Sequence, residues 1–135
     1  MTYFILMTHS GWRYIVVILL IFTLVKMLVG WLGKQQWSSF DSRLLLALRT
    51  AVYFQVILGA LLYILEQYWT EMRFTGEHVI VALLAVGGVE FAAARARKAP
   101  DDAGKFKFAT IGLAIAFVLI YVALMAIGGL FASRY

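Results

Sequence analysis

Apolar residues in this chain come in long runs, and polar residues collect in three short breaks between them. A helix needs roughly 20 mostly apolar residues to cross a bilayer. Four stretches meet that length: about Gly11–Leu32, Leu44–Leu65, His78–Ala96 and Phe108–Ala132. The third is the shortest and richest in small residues. None alternates with period two and all far exceed strand length, so strands are a poor description. The breaks contain what stops one helix and starts another. Residues 33–43 hold Gly33 and the Asp41-Ser42 pair, residues 66–77 are polar and aromatic, and residues 97–107 hold the chain's one proline, Pro100. No break is long enough to separate domains. The pattern predicts one all-α membrane domain over residues 1–135, a four-helix up-down-up-down transmembrane bundle.

Composition agrees with lipid as the solvent. Of 135 residues, 64% are hydrophobic and 14% charged, and the mean hydropathy is +0.89. Soluble domains stand nearer half apolar and a quarter charged. The absence of cysteine excludes disulfides, cysteine-ligated zinc, iron–sulfur clusters and thioether haem attachment. The net charge of +5 does not point to nucleic acid, because the basic residues sit in breaks between apolar runs.

Those basic residues orient the chain. Lys34 and Arg43 lie in or beside the first break, and Arg95, Arg97, Lys98, Lys105 and Lys107 in or beside the third. The second has Arg73 against Glu66, Glu71 and Glu77. The positive-inside rule places breaks one and three in the cytoplasm and both chain ends on the periplasmic side of a bacterial inner membrane. Trp12 and Trp69 then mark the outer interface, Trp31 and Trp37 the inner one. The first span lacks the basic leader and small-residue cleavage site of a secretory signal, and is expected to be retained.

Ionisable residues within spans are costly and are candidates for function. Arg13 is placed to snorkel to the outer headgroups. Lys26, Arg49 and Glu90 lie at similar depths and predict a structural ion cluster, with Glu90 pairing Arg49 or Lys26. Gln55, Gly59 and Tyr63 share a face of the second helix. Gly88, Ala92 and Ala96 form a small-residue stripe on the third, and Gly112 and Ala116 on the fourth, where helices pack closely within the chain or against a partner. The two histidines, His9 and His78, fall at the same outer depth. A helix N-terminus would keep each imidazole neutral. Three readings follow: a structural pair, two axial ligands of a haem b with Gly11 admitting the macrocycle and Arg13 on a propionate, or a quinone or other metal site.

The string HSGWRY at His9–Tyr14, the Gln55–Gly59–Tyr63 face, the Glu77-His78 pair and the RARK exit at Arg95–Lys98 resemble a family of small four-helix membrane proteins. These occur in Chloroflexus-like and Bacteroidetes-like bacteria and are often called cytochrome b-like. The resemblance covers most of the chain and implies four spans and a haem held by His9 and His78. Family members often carry further histidines in helix two and at the inner end of helix three, and a proline after the Glu-His pair. Here those regions hold Tyr53, Ala92–Ala94 and Val79, which allows at most one bis-histidine site. The functional expectation is a non-catalytic accessory subunit of a respiratory or photosynthetic electron-transport complex, in contact with lipid and other membrane subunits. A small cytochrome b and a small transporter are the alternatives. No nucleophile–base pair, phosphate loop or HExxH motif supports an enzyme.

Overall fold

A computed structural model describes residues 2–65 and 79–125. The described chain is all helix and turn, with four helices and no strand: α1 (Thr2–Leu32), α2 (Ser39–Leu65), α3 (Val81–Lys98) and α4 (Asp102–Met125). His78, Glu77, Trp69 and the rest of the polar, aromatic break at residues 66–77 lie outside the described residues, as does the end of the expected fourth span at Ala132.

Three helices, α1, α2 and α4, are long and apolar enough to cross a membrane. The expected third span differs: α3 has 18 residues, four of them charged (Glu90, Arg95, Arg97 and Lys98). At 1.5 Å per residue it covers about 27 Å. The helices also start earlier than hydropathy suggests. The first begins at Thr2 rather than Gly11, the second at Ser39 rather than Leu44, the fourth at Asp102 rather than Phe108. In α2 and α4 the added residues are polar first turns, which cost a helix little, so the helical segment outruns the apolar one.

Local chemistry sets the turns. α1 ends in a left-handed residue, Lys34 at φ 52°, with Gln35 N–H donating to Gly30 O at 3.0 Å and Lys34 N–H to Trp31 O at 3.3 Å. This is the bonding of a Schellman stop. Ser38 and Asp41 start α2: Ser38 N–H donates to Asp41 Oδ2 at 2.9 Å, and Asp41 N–H reaches back to Ser38 Oγ at 3.4 Å. The reciprocal pair is a capping box with Asp in place of Glu. Ala99 is extended ahead of Pro100 (φ −64°, ψ 138°), which ends α3. Asp101 then accepts Gly104 N–H at 2.7 Å and caps α4.

Consecutive helices run antiparallel. One end of the bundle gathers His9, Gln55, Ala82 and Ala123, and is called here the terminal end. The other gathers Gly30, Trp37 and Phe106, and is called the basic end. α3 packs chiefly on α4, α1 touches α2 and α4, and α2 meets α3 only sparsely. The α3–α4 seam is the tightest. A methyl group at Gly88 would lie 3.0 Å from Gly112 O, and one at Gly112 would lie 2.7 Å from Ala92 Cβ. Ala92, Ala96 and Ala116 are buried along the same line. Both small-residue stripes thus face one another inside the chain. Leu20, Met27, Leu48, Val89, Phe106 and Leu113 fill the remaining core.

Candidate functional site

Polar side chains gather at three levels of the bundle. Near the terminal end, His9 is the eighth residue of α1 and so not at a helix N-terminus. The expected macrodipole effect on its imidazole therefore does not apply, since that field falls off within the first turn. The ring lies against α2 at Gly59, where a methyl group would come 3.2 Å from His9 Cε1. One turn before Gly59, Gln55 Nε2 donates to His9 O at 3.0 Å. Trp12 Nε1 donates to Ala51 O at 2.8 Å, and its ring meets Phe54 edge-on. Each of these carbonyls uses its second lone pair, so α1 and α2 are joined without breaking either helix.

Arg13 differs from its expected snorkelling position. It is 6% exposed, three turns into α1, with Nη2 at 3.4 Å from Tyr14 Oη and the guanidinium 5.2 Å from the Tyr14 ring centroid. It lines a cavity of about 110 Å³ with His9, Gln55, Val52, Ala85 and Ile120, whose walls are mainly apolar. Small-molecule sites usually have roughly 300–1,000 Å³, so this space does not take a haem. Gly11 does not open a path for one. It is exposed, with nothing within 4 Å of its missing Cβ, and lies about 200° around α1 from His9. Thus His9 and Arg13 share a cavity, but the described residues do not fit a haem there. Among them, no group of three or more His, Asp or Glu residues is placed to hold a metal ion.

At mid-depth, Arg49 grips Glu90 with both arms of its fork: Nε to Oε1 at 3.0 Å and Nη2 to Oε2 at 3.1 Å. Tyr53, one turn from Arg49, accepts from Arg49 Nη2 at 3.1 Å and donates its own proton to Glu90 Oε1. A bidentate guanidinium–carboxylate pair is a strong and directional contact. It bridges α2 and α3, whose backbones otherwise approach only sparsely.

Lys26 does not join that pair, so the expected three-residue ion cluster divides in two. Lys26 Nζ donates to Asp41 Oδ1 at 2.6 Å, and Asp41 is fully buried. Asp41 also accepts from Ser38 N–H and from Ser38 Oγ at 3.0 Å. The ammonium lies 5.4 Å from the centroid of the Phe106 ring. That ring fits because residue 30 is glycine: a methyl group at Gly30 would fall inside the ring's contact distance. Asp41 and Tyr53 are thus the site residues that hydropathy alone does not reveal. Signals for both exist in the sequence, a Ser-x-x-Asp start for Asp41 and an i, i+4 spacing from Arg49 for Tyr53.

The described polar groups chiefly hold helices together: α1 to α2 at both ends, and α2 to α3 at mid-depth. No match to this chain was found among protein-family models, curated proteins or solved structures.

Proposed function

We propose that this chain is a non-catalytic accessory subunit of a bacterial respiratory or photosynthetic electron-transport complex, held in the inner membrane. The observation that carries the non-catalytic reading is the state of the charges within the helices. Lys26, Asp41, Arg49 and Glu90 are all engaged in ion pairs between helices. No acid or base among these four stands ready for proton transfer.

Large apolar side chains face outward along the helices, including Ile15, Ile18 and Phe22 on α1 and Ile115, Val118 and Val122 on α4. Such faces suit lipid and neighbouring membrane subunits. The small-residue stripes are used within the chain, so a partner would meet these broad aliphatic faces instead. The basic connectors support a cytoplasmic basic end, with residues 2 and 125 toward the periplasm. The electron-transport assignment is supported by the resemblance carried by HSGWRY, the Gln55–Gly59–Tyr63 face and the Glu77-His78 pair.

Purification from native membranes in a mild detergent tests the proposal. Migration with a larger assembly of redox subunits, the chain itself being colourless, is the expected result. Migration alone would refute the subunit role. A reduced-minus-oxidised b-type spectrum lost in His9→Ala would refute the non-catalytic role and make the chain a cytochrome.

A further inference from the structure

The basic end carries a second cavity, larger than the first and different in kind. It has about 320 Å³ and opens between α2 and α3. Three cations line it, Arg49, Arg97 and Lys105, together with Ser42, Trp37 and Leu46. It sits where α2 and α3 separate on the basic-end side of the Arg49–Glu90 bridge.

The donors in this cavity are only partly used. Arg49 gives Nε and Nη2 to Glu90 and Tyr53, which leaves Nη1 outside those bonds. Lys105 Nζ donates one proton to Ala96 O at 2.9 Å, and an ammonium has three. Ser42 Oγ accepts from Trp37 Nε1 at 2.8 Å, so its own proton is free to point elsewhere. The acids nearby are committed. Glu90 is held by Arg49 and Tyr53, and Asp41, next to Ser42, by Lys26 and Ser38. The cavity is therefore a concave set of donors with a net positive charge and no carboxylate among its lining residues. Its rim includes Leu46, which is 59% exposed on the outer face of α2.

We infer that this cavity binds the phosphate of an anionic membrane lipid, with Arg97, Lys105 and Ser42 on the phosphate and an acyl chain along the α2–α3 groove past Leu46. Basic pockets between membrane helices bind such headgroups by charge and hydrogen bonding together. A volume near 320 Å³ receives a glycerophosphate head and not a whole lipid. The exposed leucine at the rim and the apolar helices on either side favour a lipid over a free anion. The inference is independent of whether the chain belongs to an electron-transport complex.

Native mass spectrometry of the full-length protein in detergent, titrated with phosphatidylglycerol, phosphatidylcholine or inorganic phosphate, is the test. Phosphatidylglycerol should be retained well above phosphatidylcholine, and inorganic phosphate should not displace it at equal concentration. Arg97→Gln and Lys105→Gln should each weaken phosphatidylglycerol retention about fivefold, the share of one interfacial cation. Lys98→Gln removes the same charge from the same helix end but does not line the cavity, and should leave retention unchanged. Equal retention of the two lipids would overturn the inference. So would displacement by phosphate, or a Lys98→Gln effect as large as that of Arg97→Gln, which would mean diffuse surface charge. Because Lys105 also holds the end of α3, Arg97→Gln serves as the variant that leaves that bond in place.

Discussion

Replacing Asp41 by alanine tests the packing of the basic end most sharply. Asp41 is fully buried and accepts three hydrogen bonds, from Lys26 Nζ at 2.6 Å, Ser38 N at 2.9 Å and Ser38 Oγ at 3.0 Å. Breaking a buried ion pair by removing one partner costs roughly 3–5 kcal/mol, because the other charge is left behind. The Lys26 side chain is 27% exposed and can swing outward, which favours the lower end, about 3 kcal/mol. That corresponds to a change of about 150-fold in the folded-to-unfolded ratio. Lys26→Met removes the other charge and should cost a similar amount, since it strands a buried carboxylate. The double variant should cost well under the sum, with a coupling of about 2 kcal/mol. SDS titration of the detergent-solubilised protein, followed by tryptophan fluorescence, measures each corner of the cycle. Single-variant effects that add to within about 0.5 kcal/mol would refute the pairing.

Lys34→Gly should stabilise the fold by about 1 kcal/mol, because a residue with a Cβ sits there at φ 52°; the same SDS titration reads it. Gly112→Ala should destabilise by about 1–3 kcal/mol by pressing on Ala92 and Gly88, whereas Gly87→Ala should be neutral or slightly stabilising, since nothing lies within 4 Å of its Cβ position; thermal aggregation in detergent separates the two. Glu90→Leu alone should destabilise more than Arg49→Leu combined with Glu90→Leu, because the single change leaves the guanidinium without its bidentate carboxylate; matched melting curves of the two variants decide it.

Hydropathy was a good guide to the number of helices and a poor one to their ends. Long apolar runs with Pro100 in a turn leave little choice but helices, and their antiparallel order follows from short connectors. The starts of α2 and α4 lie in polar capping segments that hydropathy reads as breaks. Asp41 looks like loop on a hydropathy plot and is a buried member of the first turn of α2. The same blind spot hid the partner of Lys26. Depth along the helices suggested Glu90, but Lys26 and Asp41 lie across the α1–α2 hairpin, the shorter route. Arg13 was misplaced for a related reason. Counted from Gly11, the expected start of the span, it lies at the rim; counted from Thr2, where α1 begins, it lies in the interior. The small-residue stripes were visible from spacing alone, yet their mates were not, since spacing identifies a face without saying what meets it.

The crossing at Gly88 and Gly112 bears on how the chain is assembled during synthesis. With four charges in 18 residues, α3 is a reluctant candidate for partition into oil by itself. Its backbone packs so closely on α4 at Gly88 and Gly112 that the two helices form one hairpin-sized unit. A chain halted before residue 112 is thus expected to leave α3 without its packing surface, which arrives only with α4.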